Sequence, residues 1–203
     1  MVTHSNPQEH ASLMNPLAKP SSTYRDCSFV ARSVHIGGVD KSELLARLDE
    51  GGIELNAAGR ALFAHSGFTT ATIASIVETR EMTVGDLGFD RGATIDKVVE
   101  RAGQLRLAPC PIELGPHLRL QYIDQPEGYI GHAPSQHKAP PGSLTIVSRQ
   151  IAGDDHVPKG FYLRRVNGAL CLRGYHCGPD HVWSADDHLV FIAGRTWTRL
   201  RGA

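Results

Sequence analysis

The dipeptide Asn167-Gly168 constrains this chain more than any other feature. It separates two alternating runs, Phe-Tyr-Leu-Arg-Arg-Val before it and Ala-Leu-Cys-Leu-Arg-Gly-Tyr after it. A two-residue type I′ turn needs positive φ at both central positions, and Asn-Gly meets that need best. The turn fixes a hairpin register in which Val166 opposes Ala169, Arg164 opposes Cys171, Leu163 opposes Leu172 and Tyr162 opposes Arg173. Side chains alternate faces along a strand. One face therefore carries Phe161, Leu163, Leu170 and Leu172, with Arg165 near the turn, and must be buried. The other carries Tyr162, Arg164 and Arg173. Two guanidinium groups and a phenol on a rigid ribbon suit a phosphate, a carboxylate or a nucleic-acid backbone. The competing expectation pairs these arginines with Asp154, Asp155, Asp186 or Asp187 on neighbouring loops, and the sequence leaves both open.

A chain of 203 residues with 41% apolar and 21% charged residues can bury a full globular core. The formal net charge is zero but unevenly spread. Residues 34–102 hold seven Lys/Arg against eleven Asp/Glu, and residues 103–203 hold eleven against eight. That polarity is too mild for a dedicated nucleic-acid binder. There is no apolar run of spanning length, so no membrane partner is expected, and the first residues lack a secretory pattern. Cys27, Cys110, Cys171 and Cys177 form no CxxC pair, which fits free thiols in a reducing cytoplasm.

The patterning predicts an α+β fold, with a small helical N-terminal part packed on a mostly antiparallel C-terminal β-sheet. Residues 1–33, rich in Ser, Pro, Asn and His, read as a disordered leader. Residues 34–203 read as one domain, helix-rich over 34–110 and β-rich over 111–203. Asp40 and Glu43 have capping-box spacing, and Gly51-Gly52 stops the helix they start. Asn56 is placed to cap a second short helix. Two helices with a tight joint invite a helix-turn-helix reading, but the second is alanine-rich and poor in groove-reading side chains. Residues 72–80 are β-branched and strand-like. Thr94 is placed to cap an amphipathic helix through Ile95, Val98, Val99, Ala102 and Leu105. Further strands are expected over 118–123, 143–148, 189–193 and 196–200, with a long loop over 124–142 of the kind that is usually functional or disordered.

Two other clusters could carry chemistry. Glu113, His117 and Arg119 put a carboxylate, an imidazole and a guanidinium within seven residues, and His132 and His137 in the long loop could join them in acid/base work. The plainer expectation is a Glu113–Arg119 ion pair with His117 holding a turn. His176, Cys177 and His181 combine metal-ligand residue types, but at spacings that match no familiar site. Trp183 is expected to pack under the hairpin. The basic and aromatic tail from Arg195 to Arg201 reads as a solvated end.

The stretches Gly52-Ile-Glu-Leu-Asn56, Leu87-Gly-Phe89, Cys110 through Gly128, Pro158-Lys-Gly-Phe-Tyr-Leu-Arg-Arg165, Leu172-Arg-Gly-Tyr175 and His181-Val-Trp-Ser-Ala-Asp-Asp187 together resemble a family of small uncharacterised bacterial proteins, often labelled helicases. The resemblance covers about residues 35–193 and implies no catalytic residue or cofactor. A helicase motor needs a GxxxxGK[ST] phosphate loop. The nearest stretch, Gly37-Gly-Val-Asp-Lys-Ser42, lacks the glycine before its lysine and the earlier glycine at the required spacing. The residues favour a domain binding a phosphorylated or otherwise anionic ligand, nucleic acid included. A small hydrolase or transferase and a protein-interaction module are the alternatives.

Overall fold

The computed structural model describes residues 27–128 and 139–194 and the backbone of 198–199. Its elements in chain order are β1 (Val30–Ile36), α1 (Lys41–Glu50), β2 (Glu54–Leu55), α2 (Ala57–Ala64), β3 (Ser75–Thr83), β4 (Ala93–Thr94), α3 (Ile95–Gln104), β5 (Leu107–Ala108), α4 (Leu114–Gln121), β6 (Leu144–Ile146), β7 (Gly160–Val166), β8 (Ala169–Tyr175), β9 (Val182–Trp183), β10 (His188–Ala193) and β11 (Thr198–Arg199). Among the described residues nine strands form one mixed sheet in the order β1-β3-β10-β6-β7-β8-β2, with β11 beside β3 and β5 beside β10. The β10–β6 and β2–β8 pairings are parallel and the others antiparallel.

The fold is α+β, but its helices interleave with strands and form no separate N-terminal part. β1 and β3 come from the half expected to be helix-rich, yet they carry the sheet on from β10. Their alternation explains it. Val34 and Ile36 share a face with Val77, which continues through Val190, Ile146, Leu163 and Leu172. Pairing also starts earlier than expected: Val30–Ser33, placed by the sequence in the leader, lie opposite Glu78–Glu81. The stretch 118–123, expected as a strand, is instead the end of α4 and the turn after it. Pro116 stands in the first turn of α4, where its missing N–H costs no helical bond. The N-caps expected at Asp40 and Asn56 form, whereas Glu43 turns to Arg47 instead of completing the box and Thr94 makes no side-chain cap bond to α3. Asp40 accepts the Glu43 N–H at 2.9 Å, and Asn56 accepts the Gly59 N–H at 2.8 Å.

The register divides the sheet into two working faces. The face bearing Val34, Val77, Val190, Ile146 and Leu163 packs against α1, α2 and α4 through Leu44, Leu48, Leu62, Leu114 and Leu118, all buried. On the opposite face Met82, Leu189 and Phe191 pack under α3 and the small β4–β9 sheet, with Val98, Ala102 and Trp183. Among the described residues that second layer centres on the β3–β10 end of its face, with Tyr175 packed at its margin. Thr145, Tyr162, Arg164 and Arg173 continue the same face along β6, β7 and β8. The β1 edge is closed at one point by a side chain: the Gln121 amide accepts the His35 N–H at 3.0 Å and donates to the His35 carbonyl at 2.8 Å, standing in for a neighbouring strand.

Glu81 joins β1 to β10 by bonding Arg32 at 2.5 Å and His188 at 2.8 Å. Burial works to raise the Glu81 pKa, but the bonds and charges of His188 and Arg32 outweigh it and hold the pKa below its ordinary value. The bond from Glu81 raises the pKa of His188, against a smaller effect of burial. The raised histidine contributes stability fully below its unfolded pKa of about 6.5, and that contribution is lost as pH rises through the folded value. The lowered carboxylate contributes above its unfolded value of about 4.3, and loses that contribution as pH falls through the folded one. Stability from this pair is therefore greatest in weak acid. His188 is half-exposed, so the expected loss between pH 6 and pH 8.5 stays below about 1 kcal/mol. Urea unfolding across that range should show it, and His188→Gln should remove it.

Candidate functional site

The β7–β8 hairpin forms with the register its turn predicts. Asn167 and Gly168 have φ of 51° and 79°, and Tyr162 lies opposite Arg173, Leu163 opposite Leu172 and Arg164 opposite Cys171. Phe161, Leu163 and Leu172 are buried under α2 and α4, and Gly115 lets α4 approach the Phe161 ring. The carboxylates that meet the hairpin arginines are not the four aspartates weighed from the sequence. Arg165, on the helix-covered face, lies 3.8 Å from Glu127. Arg173 lies 3.5 Å from Glu54 of the adjoining β2, both partly exposed, and its guanidinium also reaches the Cys171 sulfur at 3.8 Å. Asp155 pairs instead with Lys159 at 2.8 Å. Arg164 has no carboxylate within ion-pair distance among the described residues, and its Nε is buried with no hydrogen-bond partner there.

Beside that layer the described residues line a cavity of about 710 Å³. Thr145, Tyr162 and Tyr175 contribute from the sheet, and Cys177, His181 and Trp183 from the segment that leads into β10. Trp183 is held by the β4–β9 pairing, where it lies opposite Ala93. Tyr175 and His181 each stand nearly perpendicular to the Trp183 ring, with centroids 5.7 Å and 5.0 Å away. Tyr162 joins the cavity to the arginines. Burial raises the pKa of its phenol, while the positive charges of Arg173 and Arg164 pull it back. The phenol is therefore neutral and able to donate, beside two permanent cations. Burial also raises the Cys177 thiol, with the Lys159 charge opposing it, which leaves a poor nucleophile.

Comparison of the chain with known families, curated proteins and solved structures finds no match.

The Glu113, His117 and Arg119 set is brought onto one helix but not to one point. Glu113 is buried against a second cavity of about 820 Å³, where both carboxylate oxygens accept the Ala71 N–H at 3.1 and 3.2 Å. His117 accepts the Gly37 N–H on Nε2 at 3.1 Å and lies 3.7 Å from Glu113. Arg119 does not pair with Glu113. It is fully buried and bonds the Gln125 side chain and the Tyr122 carbonyl. Each of the three holds backbone or a loop in place, so their visible work is structural. The Gly37–Ser42 stretch is engaged in the same way: Gly38 donates to the Ala71 carbonyl at 2.8 Å and Lys41 to the His65 carbonyl at 3.2 Å. His132 and His137 lie outside the described residues. His176, Cys177 and His181 share the wall of the first cavity, and among the described residues no group of three or more His, Cys, Asp or Glu is placed to hold a metal ion. No helix among them is long and apolar enough to cross a membrane.

Thr145, Tyr175, Asp180, Val182 and Trp183 are among the cavity residues that the sequence did not assign to a site. Tyr175 carried a signal: it is two residues beyond Arg173 and so on the same strand face. Thr145 and Trp183 reach the site only through the pairing of distant strands.

Proposed function

We propose that this protein binds a small anionic ligand, phosphate- or carboxylate-bearing, on the hairpin face formed by Tyr162, Arg164 and Arg173. The observation that carries this reading is Arg164. Its guanidinium is half-buried and lacks a counter-ion among the described residues, whereas Arg165 and Arg173 each lie near a glutamate. A partly desolvated cation without a partner favours a bound anion. Arg173 can turn to the same anion at small cost, because its contact with the exposed Glu54 is loose and screened by solvent. The neutral Tyr162 phenol adds a third donor. A charge-assisted hydrogen bond nets about 1.5–3 kcal/mol, so loss of one arginine should weaken binding about 10- to 150-fold.

Calorimetric titration with inorganic phosphate and pyrophosphate at low ionic strength tests this. Wild-type protein should bind at least one of them, and Arg164→Gln should bind at least about tenfold more weakly with unchanged unfolding. Affinity should fall shallowly with added salt, as for one or two phosphates. A steep fall together with tighter binding of oligonucleotides would assign the face to a nucleic-acid backbone. Failure of every anion to bind at low salt would remove the reading.

A further inference from the structure

The cavity beside the arginines is far larger than an inorganic anion fills, and its volume of about 710 Å³ is typical of sites for whole small molecules. Its walls are mostly rings and apolar side chains. Tyr162 and Tyr175 line the sheet side, and His181, Val182 and Trp183 the other. Val182 is 54% exposed at this surface, an apolar side chain left facing solvent. Trp183 is only 4% exposed, yet its indole N–H has no hydrogen-bond partner among the described residues. Asp180 is the one carboxylate among the lining residues, and Arg164 and Arg173 stand beside the hollow rather than in its wall, next to Tyr162, whose phenol feels both charges. A ring-lined hollow next to two cations, with a buried indole donor unused in its wall residue Trp183, fits one kind of molecule.

Resting on the anion-binding reading above, we infer that the ligand is an aromatic or heteroaromatic anion, its ring seated in this cavity and its charged group on Tyr162, Arg164 and Arg173. Aromatic side chains hold a flat ring by offset or edge-to-face contact beyond what area burial alone supplies. Tyr175 and His181 already meet Trp183 in that way. A heterocycle with an acceptor atom would in addition give the Trp183 N–H the partner it lacks.

Three probes with the same charged group separate the contributions: inorganic phosphate, cyclohexyl phosphate and phenyl phosphate, each titrated calorimetrically into the full chain. Phenyl phosphate should bind about tenfold or more tighter than inorganic phosphate, and about threefold or more tighter than cyclohexyl phosphate. Val182→Gln, at an exposed position, should weaken phenyl phosphate about threefold or more and leave inorganic phosphate unchanged. If all three bind equally and Arg164→Gln weakens all equally, the anion-binding reading stands and the aromatic inference is wrong. If cyclohexyl and phenyl phosphate bind alike, the cavity selects an apolar body and not a ring, which also overturns the inference. If none binds, both readings fail.

Discussion

Gly174→Ala is expected to lower the unfolding free energy by at least about 3 kcal/mol, a large effect for a single methyl group. A Cβ at Gly174 would stand 2.5 Å from the Ala58 carbonyl carbon and 2.6 Å from the Gly59 nitrogen. Both atoms are backbone in the first turn of α2, and neither can turn aside as a side chain would. The same contact is tied by Asn56, whose amide donates to the Gly174 carbonyl and accepts the Gly174 N–H, both at 2.9 Å, while capping Gly59. Pushing α2 off β8 therefore breaks the helix cap and two strand bonds together, and it loosens Leu62 and Phe63 over Phe161. Urea midpoints of wild type and variant measure the loss. An unchanged midpoint would mean that α2 does not rest on β8 at Gly174.

Arg119→Met should cost about 3 kcal/mol, although it replaces a buried charge by an apolar side chain of similar length. Burial pushes the Arg119 guanidinium down to about 10, so it is still charged at neutral pH, and its hydrogen-bond partners are neutral. It holds the Gln125 side chain, which donates in turn to the Gly142 carbonyl at 3.2 Å and the Leu163 carbonyl at 3.3 Å. Arg119 thus pins both ends of the 124–142 connection to the middle of β7. Removing it strands the Gln125 and Tyr122 oxygens in the interior. Relief of the charge's desolvation offsets part of that cost but not the stranded acceptors. Thermal unfolding read beside Arg119→Lys separates the two effects: Lys restores the charge but not the fork that reaches both partners. A Met variant as stable as wild type would contradict this account of the connection.

The hairpin was legible because its instructions are local. Asn167-Gly168 sets the turn, the turn sets the register, and the register puts Tyr162, Arg164 and Arg173 on one face without help from the rest of the chain. The helix caps at Asp40 and Asn56 were legible for the same reason. The misreading of α4 shows where local pattern fails. Leu118, Leu120 and Tyr122 alternate like a strand, but Leu114 and Leu118 are also spaced for a helix face, and the sheet already has β6 beside β10. Val30–Ser33 looked like leader because an edge strand is half solvated and its pattern weak; only pairing with β3 orders it. The cavity was illegible as a whole. Tyr162 and Tyr175 share a face through the hairpin itself, but Thr145 and Trp183 join them only through the β6–β7 and β4–β9 pairings, which nothing local encodes.

Arg164 and Arg173 are proposed to act on one anion from one face of the hairpin. A double-mutant cycle on phosphate or pyrophosphate affinity tests it most directly, with Arg165→Gln as the control from the opposite face. Arg164→Gln and Arg173→Gln should each weaken binding by about tenfold or more, the double variant by less than the product, and Arg165→Gln by less than about twofold. Equal losses at Arg164 and Arg165 with folding intact, or fully independent effects of Arg164 and Arg173, would contradict it.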